Sequence, residues 1–271
     1  MYFRSTEFGL YLCVMSVLNF FVEDRIAWIV MSRPEKRNAL SVELIEGMTE
    51  AFLLANARED VRVIVLKSSD KPFCAGADLQ YLTQLRNNSL EENEVDSQRL
   101  RRMFDAMYHS PKLVITQVEG PALAGGCGLA TLSDLCFATP EASFGYTEVK
   151  IGFIPALVMV YLAEKIGGGA IRDLLLTGRV LDATEAKEMG LVQRIVNSEE
   201  IDEAVGAVAR GCAEGTSGAA VSTVKEMLRQ IPSMHRDQAL DYAARMNAHA
   251  RATPDCIKGI DAFLNKQKLT W

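Results

Sequence analysis

Apolar positions divide the chain into two regimes. Up to about Val196, short apolar runs of strand length alternate with segments in which apolar residues recur every three or four positions. From Ile201 onward only the helical period remains. Val17–Val22 and Ile26–Met31 flank Glu23-Asp24-Arg25 and read as a hairpin. Val61–Leu66 is almost continuously apolar and β-branched, which predicts a strand buried on both faces, as in a parallel sheet. Leu113–Val118, Leu135–Ala138 and Leu191–Val196 read as further strands. Ser41 stands as an N-cap before Val42, Ile45, Met48 and Phe52 at helical spacing. Residues 85–97 are polar and charged and read as a mobile surface segment; Leu100, Met103, Phe104, Met107 and Tyr108 then form a helical stripe ended by Pro111. Ile171–Thr177 reads as a helix stopped by Gly178, and Asp182-Ala-Thr-Glu185 opens another that ends at Gly190. Four helices, 201–213, 219–230, 236–250 and 254–266, complete the chain. This order predicts an α/β core over 15–200 and a small helical C-terminal domain over 201–271. Residues 1–14 read as an extension, with Met15 as an alternative start.

Composition narrows the class. The chain has 271 residues, 49% of them hydrophobic, enough to bury a large core. A net charge of −6, with Lys and Arg scattered and no basic run, argues against nucleic acid as a partner. The apolar run Phe8–Val22 is shorter than a bilayer span and lacks a following small-residue cleavage site, so a membrane or secretory role is not expected. Six cysteines (13, 74, 127, 136, 212 and 256) form no CxxC pair and read as reduced thiols of a cytoplasmic protein. With only three histidines, at 109, 235 and 249, a His-rich metal site or His-based triad is not expected.

Candidate chemistry sits in three segments. Gly120-Pro-Ala-Leu-Ala-Gly-Gly-Cys-Gly-Leu-Ala130 lies between a strand and a helix, where free backbone N–H groups stabilise negative charge. It carries no Lys, Ser or Thr, so it is not a nucleotide P-loop; a neutral cradle suits an oxyanion that forms during reaction. Phe73-Cys-Ala-Gly-Ala-Asp-Leu79 is a second turn of small residues after a strand. Phe144-Gly-Tyr-Thr-Glu-Val-Lys-Ile-Gly-Phe-Ile-Pro155 places one carboxylate, Glu148, among apolar neighbours, which raises a carboxyl pKa toward neutrality. Each segment alone also fits a bland structural role: a tight crossover, a turn anchored by Asp78, a paired carboxylate.

In this order the three segments resemble the enoyl-CoA hydratase/isomerase (crotonase) superfamily, together with Arg33-Pro-Glu-Lys-Arg-Asn-Ala-Leu40, Thr177-Gly-Arg179, Ala183–Val192 and Ala220–Met227. The resemblance runs from about residue 17 to the C-terminus. It implies a spiral of repeated ββα units with a helical trimerisation domain, and a homotrimer or dimer of trimers acting on acyl-CoA thioesters without a cofactor. It implies that the N–H groups of Ala77 and Gly125 form an oxyanion hole and that Glu148 is the general acid/base. It also implies substrate contacts at Lys36, Arg37, Ala39, Ala75, Asp78, Leu79, Leu123, Gly128, Thr147 and Pro155, with Phe263 and Lys266 or Lys268, of this or another subunit, closing the adenine end. One departure stands out: two-carboxylate hydratases of the family carry a Glu where this chain has Gly128. Two carboxylates can divide the work of adding water, whereas one suffices to move a proton along an acyl chain, unless Tyr146 or Thr147 assists with water. The reading is an enoyl-CoA hydratase/isomerase, with hydration ahead as the label and isomerisation ahead on mechanism. Lyase or decarboxylase chemistry is an alternative, and a non-catalytic acyl-CoA-binding trimer is a rival that intact Ala77, Gly125 and Glu148 oppose. Cys127 is read as packing and Asp134 as orienting a loop.

Overall fold

The computed structural model describes residues 2–5, 11–15 and 17–271. Part of the N-terminal extension (1–14) and of the run Phe8–Val22 thus lies outside the described residues. Strands β1 (Tyr2–Ser5) and β2 (Tyr11–Met15) pair antiparallel at the edge of the main sheet. β3 (Leu18–Glu23) and β4 (Ile26–Met31) form the expected hairpin, and Asp24 and Arg25 both take positive φ at its turn. α1 (Val42–Ala57) begins at Ser41, whose hydroxyl accepts from the Leu44 N–H. It leads to β5 (Val63–Ser68), which lies parallel to β4.

Next come α2 (Leu79–Leu85) and α3 (Leu90–Tyr108). Here the structure corrects the expectation for 85–97: residues 90–97 are the first turns of α3. Ser89 and Glu92 form a reciprocal capping box that satisfies the first N–H groups. The outer face of these turns is polar because it faces solvent, and that polarity hid the helix.

β6 (Leu113–Val118), β7 (Pro121–Leu123), α4 (Gly125–Leu132), β8 (Leu135–Ala138) and β9 (Ser143–Gly145) follow. α5 (Ala156–Lys165), α6 (Gly168–Thr177), β10 (Val180–Asp182), α7 (Ala183–Glu188) and β11 (Arg194–Ile195) complete the strand-bearing part. The main sheet has the order β1-β2-β3-β4-β5-β6-β8-β11, and every pairing from β4 to β11 is parallel. A small sheet, β10-β9-β7, stands apart.

Parallel strands covered on both sides explain the near-continuous apolar runs. On β5, Ile64 and Leu66 join a core shared with α1, α3 and α4, whereas Val63 and Val65 face a second core with Ile115 and Phe137. The second core is closed by Ile201, Val205, Ala209 and Ala213 of α8 (Ile201–Gly215). α9 (Gly218–Gln230), α10 (Arg236–Arg251) and α11 (Pro254–Leu264) follow it. Asp134 ties α9 to the sheet, accepting from the Val114 N–H at 2.7 Å and from the buried Lys225 ammonium at 2.5 Å. It orients structure, as its sequence context suggested. Among the described residues no helix is long and apolar enough to cross a membrane.

Candidate active site

Two turns at the C-terminal ends of parallel strands lie against each other. After β5 the chain runs into Phe73–Asp78; after β6 it runs through β7 into α4. Cys74 bridges the two: its N–H donates to Pro121 O at 3.1 Å and its carbonyl accepts from Leu123 N–H at 2.9 Å. Contact is so close at Gly126 that an added β-carbon would sit 2.4 Å from the Cys74 carbonyl oxygen. Only glycine permits that approach.

On its other side the Phe73–Asp78 turn is paired with the loop before α1. Ala75 N–H donates to Arg37 O, Leu40 N–H to Gly76 O, and Asp78 N–H to Leu40 O. Because residues 76 and 78 bond to Leu40, the intervening Ala77 N–H points the other way. Gly125 is the first residue of α4, so its N–H has no acceptor one turn earlier in the helix. Neither N–H has a protein acceptor among the described residues. The preceding Ala124 holds φ 50° and ψ −123°, a conformation that costs a side-chain-bearing residue roughly 1–3 kcal/mol. The Gly145 carbonyl, accepting from Ala124 N–H at 2.7 Å, holds it there.

Asp78 supports this arrangement from below. Its carboxylate caps α2 through the N–H groups of Gln80 and Tyr81 and pairs with Arg33 at 2.9 Å. Burial pushes its pKa up, but these hydrogen bonds and the Arg33 charge outweigh it, and the group lies below the usual carboxylate range. Arg33 also donates to Ala39 O, locking the neighbouring loop.

Ala77 and Gly125 open onto a cavity of about 310 Å³, whose walls come from α1, α2, α3, α5 and the segment around Glu148. Leu40, Leu82, Leu100, Phe104, Leu157 and Val158 make the lining chiefly hydrocarbon. Glu148 is its one titratable side chain among the described residues. The carboxylate stands at the start of a short 3-10 turn, Glu148–Ile151, closed by Gly152 at φ 76°. Glu148 is 9% exposed and its Oε2 is buried without a hydrogen-bond partner. Burial raises its pKa above the usual carboxylate range, opposed by its own backbone N–H. An unpartnered buried carboxylate oxygen is costly, and such groups concentrate at functional sites.

The structure brings Ala75, Ala77, Gly125, Thr147, Glu148 and Pro155 together on this cavity. Lys36 and Arg37 are exposed on the adjoining loop, and Ala39 is buried beside it. Leu79 opens α2. Leu123, Asp78 and Gly128 do not line the cavity: Leu123 pairs with Cys74, the Asp78 carboxylate is consumed by capping, and Gly128 lies buried under α5. Phe263, Lys266 and Lys268 do not line it either. Tyr146, considered as a helper to water, is fully buried with its hydroxyl on Thr131, away from the cavity. Cys127 is likewise core: burial drives its thiol up to about 12, so it is packing. Sequence reasoning gave Arg33 and Leu40 no role beyond belonging to a motif, and it missed Val158. Leu40 does most: its backbone orients Ala77, and its side chain lies where a β-carbon on Gly125 would come within 2.7 Å.

A mixed α/β fold thus sets two backbone N–H groups and one buried carboxylate on an apolar cavity. The chain belongs to the enoyl-CoA hydratase/isomerase family, whose model matches residues 22–271. It is 41% identical over 245 residues to a Thermus thermophilus protein provisionally named an enoyl-CoA hydratase, covering 90% of this chain and 96% of that one. It is 32% identical to a crotonyl-CoA hydratase of Syntrophomonas wolfei, over 91% and 94% of the two chains. An enoyl-CoA hydratase structure from Shewanella pealeana superposes with a TM-score of 0.90 at 28% identity, covering 94% of this chain and 96% of that one. The crotonase fold expected from the motifs is therefore the fold of this protein.

Proposed function

We propose that the protein shifts the double bond of an enoyl-CoA thioester through an enolate, with Glu148 as the single proton carrier. The observation that carries this is the Glu148 carboxylate itself: buried, unpartnered at Oε2, raised in pKa, and alone among titratable groups on an apolar cavity. In this reading the thioester oxygen accepts hydrogen bonds from the N–H groups of Ala77 and Gly125. Negative charge then builds on that oxygen as Glu148 removes a proton from carbon 2, and the preorganised donors stabilise it. The same carboxyl group returns the proton at carbon 4. A raised pKa suits a group that must both take and give. The CoA portion leaves past Ala75 and Ala39 toward Lys36 and Arg37, whose exposed charges suit phosphates. No resident cofactor enters the reaction.

Hydration is the second reading, and what favours it is the naming of the Thermus and Syntrophomonas relatives. Incubation with 2-enoyl- and 3-enoyl-CoA in deuterated water, followed by mass spectrometry, separates the two. Migration of the double bond from the 3-enoyl ester, with deuterium incorporated and lost in Glu148→Gln, supports isomerisation. Water added to the 2-enoyl ester supports hydration. Wild type and Glu148→Gln binding CoA esters equally while neither reacts would make the protein a binding module.

The same reading places a self-associated trimer or dimer of trimers in the cytoplasm. Apolar side chains left exposed on α9 to α11, such as Leu228, Leu240 and Ile260, support the association.

A further inference from the structure

Gly128 lies within α4, and there is no room beside it for a side chain. A β-carbon built there would be 2.4 Å from Val158 Cγ1 and 3.4 Å from Phe104 Cζ. Val158 comes from α5 and is 4% exposed; Phe104 comes from α3 and is fully buried. Both line the cavity that holds Glu148. At this point the cavity wall is hydrocarbon laid directly on bare backbone. Valine branches at Cβ and holds its rotamer in a helix, so its methyl does not swing aside cheaply. No side chain at 128 can enter the cavity unless Val158 withdraws.

We infer that Val158 is a specificity-determining residue: its isopropyl group, seated on Gly128, keeps this wall free of hydrogen-bonding groups and confines the site to proton transfer by one carboxylate. The inference rests on the reading of Glu148 given above. Isomerisation of a 3-enoyl thioester breaks a C2–H bond and forms a C4–H bond, while the double bond moves from C3=C4 to C2=C3; no atom is gained. Hydration of a 2-enoyl thioester consumes one water, placing its hydroxyl on C3 and a proton on C2. That water must be held beside C3, and a buried water needs two to four polar partners. Val158 on Gly128 supplies none.

A double-mutant cycle tests this, reading stability by chemical denaturation and product partition in deuterated water. Gly128→Ala alone should lower stability, and adding Val158→Ala should restore most of it, because the new methyl takes the vacated space. Gly128→Asp with Val158→Ala puts a second carboxylate into the cavity. It should raise the ratio of 3-hydroxyacyl product to isomer at least about ten-fold, as close to 1.4 kcal/mol of differential stabilisation would. Val158→Thr keeps the shape, adds one hydroxyl and should raise the same ratio by less; it secures the test if the double variant does not fold. Additive stability effects at 128 and 158, or an unchanged ratio in both functional variants, would overturn the inference. So would a wild-type protein that hydrates the 2-enoyl ester. Failure of the underlying reading looks different: Glu148→Gln would still move the double bond, while 128 and 158 remained coupled in stability.

Discussion

Glu148 concentrates the cost and the use of the site in one residue. Its carboxyl pKa is raised by burial, because the cavity solvates the ionised form poorly. Removing the carboxyl should cost activity and favour stability. Glu148→Gln is expected to lower double-bond migration by about 10²–10⁴-fold, the usual worth of a positioned acid/base. The pH profile follows from the same shift. Glu148 must be ionised to take the C2 proton, so kcat/KM should rise with pH through an apparent pKa above the normal carboxylate value, and the Gln variant should lose that limb. Stability runs the opposite way. With the folded pKa above the unfolded one, stability is full below the unfolded value and falls as pH rises through the folded one. Denaturation midpoints of Glu148→Gln should therefore exceed wild type on the alkaline side of the folded pKa and converge with it in the acid range below the unfolded one. A Gln variant less stable than wild type at both ends would mean that the carboxylate has a partner.

At the scale of elements, the site depends on a short ladder between the loop before α1 and the Phe73–Asp78 turn. Asp78 is its anchor, capping α2 and holding Arg33. Asp78→Ala should cost ~1 kcal/mol for the lost cap and up to about 3 kcal/mol for the half-buried Arg33, which would keep only the Ala39 carbonyl and the more distant, exposed Glu35. Because the Asp78 pKa is lowered on folding, its contribution is present at neutral pH and lost as pH falls through the acid range, so the wild-type advantage should shrink toward pH 3. Urea midpoints across that range check it; a constant difference would assign the loss to packing alone.

Legibility followed burial. Val61–Leu66 announced its place because a parallel strand is covered on both faces, and Ser41 and Asp182 announced helix starts through their side chains. Residues 90–97 misled because solvent-facing turns look like loop, although Ser89 and Glu92 held the signal. α5 left no signal because its apolar residues run nearly without interruption and no stripe stands out. In the site, the two small-residue turns and an acid in apolar company, Glu148, were visible, whereas the choice of Ala77 and Gly125 within those turns came from the family resemblance. Val158 was not: it meets Gly128 across 30 positions, and only the packing of α5 on α4 joins them.

For the whole molecule, the C-terminal helices are the part that a single chain leaves unfinished. α10 buries no residue, α9 buries only Lys225, and α11 buries only Ala262. Leu228, Leu240, Ile257, Ile260 and Leu264 remain half or more exposed on these helices, or nearly so. A cavity of about 610 Å³ among them is lined by Val224, Met227, Met246, Ile260 and Trp271. Amphipathic helices gain most of their stability from covering an apolar face, so three adjacent helices with uncovered faces call for a partner. A second copy of the chain is the economical one, since a head-to-tail contact between identical copies closes into a ring when its rotation permits. Light scattering of the purified protein should give the mass of a trimer or of two trimers, and Leu240→Glu or Ile260→Glu should shift it toward the single chain. The activity of any monomer so obtained then decides what association is for. If isomerisation survives at full kcat, the cavity between α1, α3 and α5 is complete within one chain, and the C-terminal helices act only in assembly. If KM rises while kcat holds, the neighbouring copy contributes to binding the CoA end, where Lys36 and Arg37 stand exposed.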